Sequence, residues 1–209
     1  IVSLFIINVL AFLIAYLLTL GIKGANLFRT AFFMPNLIGG IVLGYIWSMI
    51  FNGVLGKINT SILMETRYGF WGLIILMCWQ QVGYMMIIYI AGLQAVPGEL
   101  IEAAKIDGAS RFQTIINVDL PCIKPMIITM FILAVGGLMN VGFEKVLIMQ
   151  NDLNRSVSDV IGTYVYDIGI TQAQYSYSTA IGLFNTVINA ILLVLANIFS
   201  KKVTGEGIW

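Results

Sequence analysis

The chain has 209 residues, of which 59% are hydrophobic and only 10% charged, with a formal net charge of +1 and a mean hydropathy of +0.95. A soluble domain carries about 25% charged side chains, so this composition excludes one, and the near-neutral charge argues against a nucleic-acid partner. There is no histidine and there are two isolated cysteines. That excludes histidine-ligated metals, histidine bases and Ser-His-Asp triads, and it offers neither a disulfide framework nor a Cys-x-x-Cys metal site.

The apolar residues fall into blocks close to the ~20 residues that cross a bilayer core. Five spans are predicted in chain order: Ile1 to Leu20, Ala31 to Phe51, Phe70 to Ala95, Pro125 to Phe143 and Ser178 to Phe199. The expected fold is therefore an all-α polytopic transmembrane bundle, a single domain over residues 1–209. The first span lacks a charged leader and a cleavage site, so it does not read as a signal peptide. Because the chain opens on Ile1 inside an apolar run, we expect an N-terminal segment with one further helix before it.

In the second span, Pro35 with Gly39 and Gly40 predicts a kinked or closely packed helix. Orientation follows from the basic residues. Lys23, Arg29, Lys105, Arg111, Lys124, Lys201 and Lys202 fall on one side, and Lys57, Arg67, Lys145 and Arg155 on the other. The majority side is expected to be cytoplasmic, together with the C-terminus.

Between the third and fourth spans lies a charged loop at about residues 96–124. Pro97 suits a first helical turn, where its missing N–H is not needed. Glu99 and Glu102 lie near the positive end of the helix dipole, and Gly108 is placed to stop the helix in a left-handed conformation. Leu100, Ala103 and Ala104 form an apolar stripe at i, i+3, i+4. Phe112, Ile115 and Ile116 repeat that spacing, and Pro121 and Pro125 are expected to close the stretch. Two short helices thus meet at a glycine bend. Small alanines admit a partner's cleft, and Glu102 offers a carboxylate to an arginine fork.

The spacing of Glu102-Ala103-Ala104, Gly108 and Leu120-Pro121 resembles the EAA loop of ABC importer permeases, with Val118 where that pattern has Ile. Further matches are similar to the sugar-type, binding-protein-dependent branch. They include Arg29 to Pro35, Ile46-Trp47, Phe51-Asn52-Gly53, Ile58-Asn59, Gly83-Tyr84, and Ala91 to Gln94 leading into Pro97. Phe143-Glu144-Lys145, Met149-Gln150-Asn151, Tyr164-Val165-Tyr166 and Tyr175-Ser176 look like the polysaccharide and oligosaccharide permeases of Gram-positive bacteria.

The resemblance implies a type I, maltose-permease-like bundle in the cell membrane, with no catalytic residue and no bound cofactor or metal. ATP and magnesium would sit on a partner ATPase. Implied partners are a second permease forming a heterodimer, two ATPase copies, an extracellular solute-binding lipoprotein and membrane lipid. The implied coupling residues are Glu99, Glu102, Ala103, Ala104, Asp107, Gly108, Phe112, Leu120 and Pro121.

Sugar cargo needs amides and aromatic faces. Candidates are Trp79, Gln80, Gln81, Tyr84, Asn140, Asn185 and Asn189, each of which serves either a polar pathway or interhelical packing. The near absence of charge within the spans argues against an ion-coupled carrier and suits neutral cargo. The open alternative is a permease for another small polar solute, such as glycerol phosphate or an amino acid. The outer segment, about residues 144–177, carries helical spacing at Val160, Ile161, Tyr164, Val165 and Ile168. It either receives the binding protein or packs as a lid over the helix ends.

Overall fold

The computed structural model describes residues 2–56, 66–140, 142–150 and 155–209, and within them every regular element is helical. Ile1, Lys57, Ile58, Asn59 and Asn151 lie outside the described residues. Among the described residues four helices are long and apolar enough to cross a membrane, or five spans if one bent pair is counted as one.

Helix α1 (Val2–Thr19) buries Ile7, Ala11, Ala15 and Leu18, a stripe at spacings of four and three that covers one face. Its partner is α4 (Thr66–Gln94), which buries Cys78, Val82, Met86, Tyr89 and Leu93 in the same cluster. Ala11 and Ala15 are fully buried. Small residues there let the backbones approach, which is how helices gain packing energy when lipid is as apolar as the side chains. Tyr89 Oη donates to Asn8 Oδ1 at 2.8 Å across this seam.

The second predicted span is not one helix. It consists of α2 (Ala25–Phe33), a 3-10 turn (Met34–Leu37) and α3 (Gly40–Leu55), the two arms bent by 102°. Ile38 (ψ 129°) and Gly39 (ψ 144°) are extended and break the hydrogen-bond ladder. Gln80 Nε2 donates to the freed Ile38 carbonyl at 3.4 Å, supplying what a bilayer cannot. The α2 end is seated on Gly83 of α4. A Cβ at Gly83 would stand 2.5 Å from the Phe32 carbonyl carbon and 2.9 Å from Phe33 Cα, and closer still to the Phe32 carbonyl oxygen.

The third span runs from Trp71 to Gln94, close to the predicted Phe70 to Ala95, within a helix that begins at Thr66. After it come α5 (Gly98–Ile106) and α6 (Arg111–Thr114), a π-helical turn (Ile115–Asp119) and α7 (Leu120–Gly136). Pro121 and Pro125 were expected to close the loop before the next span. Instead the apolar helical stretch runs from Arg111 through Gly136, and Phe143 falls outside it. Leu120 N–H bonds to Ile115 O, an i to i−5 register. That resets the ladder, so Pro121 stands in a first α turn, where its missing N–H is not needed.

The segment between the fourth and fifth predicted spans holds α8 (Phe143–Met149), α9 (Arg155–Ser158), α10 (Ile161–Tyr166) and a second π turn (Asp167–Thr171). The helical spacing around Tyr164 is thus realised as α10. Helix α8 lies on the glycine face of α3. A Cβ at Gly44 would meet Ile148 Cβ at 3.3 Å, and one at Gly40 would meet Glu144 Oε2 at 2.5 Å. Finally α11 (Tyr175–Thr204) packs on α7, with Leu193 against Gly136 and Ala196 clustered with Ile128 and Ile132. Most of its other apolar side chains, Leu183, Phe184, Val187 and Ile191 among them, are exposed, as suits a helix facing lipid or another subunit.

Candidate functional site

The charged loop forms a two-helix corner. Pro97 has φ −58° and ψ 128° and caps α5 from outside, one residue earlier than the predicted helical turn, because Gly98 opens the helix. Glu99 lies in the first turn and Lys105 in the last, each sign matching its end of the dipole. Gly108 has φ +76°. Its N–H bonds to Lys105 O at 3.1 Å, and Ala109 N–H bonds back to Ala104 O at 2.9 Å. This pair of bonds is a Schellman stop, which needs a left-handed residue where glycine sits.

One residue later Ser110 begins α6 with a capping box. Gln113 N–H donates to Ser110 Oγ at 3.4 Å, and Ser110 N–H donates to Gln113 Oε1 at 2.7 Å. Stop and start are therefore two residues apart, which makes the corner stiff. It encloses a cavity of 500 Å³ whose wall includes Tyr16, Thr19, Gln94, Lys105, Arg111 and Asp119. Lys124 Nζ donates to Thr204 O at 3.0 Å. The basic residues of α5, α6, α7 and α11 thus gather at the end of the bundle where α1 and α4 finish.

The predicted stripe of Leu100, Ala103 and Ala104 is split by the docking of α5. Ile101 packs on the core and Ala104 is half-buried, while Leu100 and Ala103 face outward. Glu99, Glu102, Asp107, Gly108 and Pro121 are exposed, and Leu120 packs on the core. Ile106 is 86% and Phe112 69% exposed. Apolar side chains this open, beside carboxylates, make a surface suited to contact with another protein.

At the opposite end a cavity of 410 Å³ opens between α1, α4 and α7, with Ser3, Asn8, Gln81, Asn140 and Lys145 as its polar wall. Of the sequence candidates, only Gln81 and Asn140 line it. Asn185 stands behind Asn140, its Nδ2 donating to Asn140 Oδ1 at 3.1 Å. Asn189 Oδ1 accepts from Met139 N–H at 3.3 Å. Gln80 serves the α2–α3 break, Trp79 packs edge-on against Trp47 at 5.3 Å, and Tyr84 is exposed away from the cavity.

Lys145 is the residue that sequence reasoning missed in this role. It was counted as an outer-loop cation, yet α8 folds back and buries it to 9% exposure. Burial lowers its proton affinity below the ordinary lysine range, against the opposite pull of the adjacent Glu144 carboxylate. The one available signal was its place just before the apolar run Val146 to Met149. Among the described residues no cluster of His, Cys, Asp or Glu could hold a metal ion.

A family profile described as binding-protein-dependent transport system inner membrane component matches residues 7–205. The protein LplB of Bacillus subtilis is 47% identical over 131 residues, covering 63% of this chain and 41% of LplB. The polygalacturonan/rhamnogalacturonan transport system permease protein YteP of the same organism is 44% identical over the same shares. The chain thus spans less than half the length of these two relatives. The probable starch degradation products transport system permease protein AmyD of Thermoanaerobacterium thermosulfurigenes is 34% identical over 205 residues, covering 94% of this chain and 70% of AmyD. Among solved structures, a bacterial ABC transporter involved in import of the acidic polysaccharide alginate superposes with a TM-score of 0.85. That pair is 25% identical, covering 97% of this chain and 77% of that one.

Proposed function

The chain belongs to the family of binding-protein-dependent transport system inner membrane components, and from that premise we propose that it is the membrane-spanning subunit of an ATP-driven oligosaccharide importer. The observation that carries this reading is the stiff corner at Gly108, which holds Glu102, Ala103, Ile106 and Phe112 outward at one end of the bundle. A rigid, exposed helix transmits a push, and a floppy loop would absorb it.

In this reading the corner sits in the cleft of a partner ATPase on the cytoplasmic side. Closure of two ATPase copies around nucleotide drags α5, and through the continuous Arg111–Gly136 stretch it drags α7. The bundle then alternates between an outward-open and an inward-open cavity. A second permease completes the pathway, and an extracellular binding protein delivers cargo. The permease itself performs no chemistry. Oligosaccharide cargo is supported by the named substrates of YteP and AmyD and by the amide-lined cavity at the outer end.

The test is reconstitution of the full complex in proteoliposomes. Glu102→Lys and Gly108→Asp should abolish binding-protein-stimulated ATPase activity and uptake while the permease still inserts and assembles. Wild-type stimulation and uptake in both variants would refute the coupling assignment.

A further inference from the structure

The outer cavity holds a cation that closes no salt bridge among the described residues, the Glu144 carboxylate beside it acting only at longer range. Lys145 makes no ion pair or hydrogen bond among the described residues, whereas Arg155 is paired with Asp167 at 2.7 Å. Its Cα lies against Gly44 of α3, 3.5 Å from where a Cβ would stand, and its ammonium lies beside Gly142, 3.3 Å from where a Cβ would stand. An unpaired charge taken from water is expensive to hold, and an anionic partner would offset that cost.

The rest of the polar wall points the same way. Asn8 is engaged within the bundle, donating to Leu4 O and accepting from Tyr89. Asn140 spends its carbonyl oxygen on Asn185, which leaves its NH₂ as a donor. Among the described residues Gln81 has no hydrogen bond and no carboxylate lines the cavity. The wall therefore offers ammonium and amide donors, complementary to anionic oxygen and to hydroxyl oxygen together. The absence of charge within the spans suggested neutral cargo, but the charge enters the cavity from α8, outside the spans.

We propose that Lys145, with Gln81 and Asn140, forms an anion-reading subsite of the transport pathway, so that the cargo is an acidic oligosaccharide bearing sugar carboxylates. This rests on the oligosaccharide-importer reading and narrows it. Lysine acts as a point charge on the carboxylate, and the two amides bond neighbouring hydroxyls.

The experiment uses the reconstituted complex with labelled trigalacturonate and its neutral methyl ester, which share one backbone. Lys145→Gln should lower trigalacturonate uptake about ten- to a hundredfold, the range for one charge-assisted hydrogen bond, and leave methyl-ester uptake unchanged. Lys145→Arg should retain most uptake. Asn140→Asp, nearly isosteric, keeps the test alive if Lys145 variants misassemble, because its carboxylate quenches the ammonium. It should depress trigalacturonate uptake well beyond that of the ester, which loses only the Asn140 bond to a hydroxyl.

Equal uptake of both probes in Lys145→Gln and Asn140→Asp would overturn the subsite, as would a loss that affects both probes alike. Uptake of a sulfated trisaccharide in place of trigalacturonate would overturn the carboxylate assignment. Failure of the wild-type complex to take up any oligosaccharide would instead overturn the importer reading on which the subsite depends.

Discussion

Gly83 is where the broken second span meets the rest of the bundle, and Gly83→Ala isolates that contact. A methyl group there stands 2.5 Å from the Phe32 carbonyl carbon and 2.9 Å from Phe33 Cα, where carbon atoms normally rest about 3.5–4.0 Å apart. The neighbour is backbone, so no rotamer change relieves the clash. The α2 end must retreat by about an ångström, which also strains the Gln80 bond to Ile38 O. Overpacking of this kind destabilises by about 1–3 kcal/mol.

Gly92→Ala is the internal control in the same helix. Its new methyl would stand 2.7 Å from Met126 Cε and Sδ, the far end of a flexible side chain that can swing aside. The assay is the fraction of monodisperse, detergent-solubilised permease that survives a heating series, read by fluorescence-detected size exclusion. Gly83→Ala should lose half its signal at a clearly lower temperature than wild type, with Gly92→Ala close to wild type. If Gly83→Ala is as heat-stable as Gly92→Ala, α2 does not press on α4 at this glycine and the account of the break is wrong.

Gly44→Leu should drive α8 off α3, since even a Cβ there meets Ile148 at 3.3 Å and Lys145 Cα at 3.5 Å. A cysteine placed at Val146, now 2% exposed, should then react with a maleimide faster than in the Gly44 background. Gly53→Leu, which meets nothing within 4 Å, should leave that rate unchanged. Ser110→Ala removes one half of the capping box and should weaken the start of α6 by about 1 kcal/mol. Hydrogen exchange at Gln113 and Thr114 should rise several-fold, and no change there would mean that the box does not hold the corner.

The membrane-spanning helices were legible in the linear sequence because each records its own requirement: a predominantly apolar run of bilayer length, as in Val2–Thr19 and Tyr175–Thr204. The corner was legible for a similar reason. Gly108 and Ser110 act within one turn of their own backbone, so a helix stop and a helix start can be read locally. The prolines misled, because whether Pro121 ends a helix depends on the π turn before it, a choice of register that packing settles.

What only the tertiary structure decided depends on pairs of residues far apart in the chain. Pro35 and Gly39 permit a bend, but the 102° angle follows from the Phe32 carbonyl finding Gly83 and the Ile38 carbonyl finding Gln80. The amide candidates looked alike in sequence, and their neighbours sorted them: Asn189 to a backbone N–H, Gln80 to the break, Gln81 and Asn140 to the cavity. Lys145 shows the same rule. Its charge and its apolar neighbours were plain in the sequence, but only the seating of α8 on Gly40 and Gly44 turns a loop cation into the charged wall of the cavity between α1, α4 and α7.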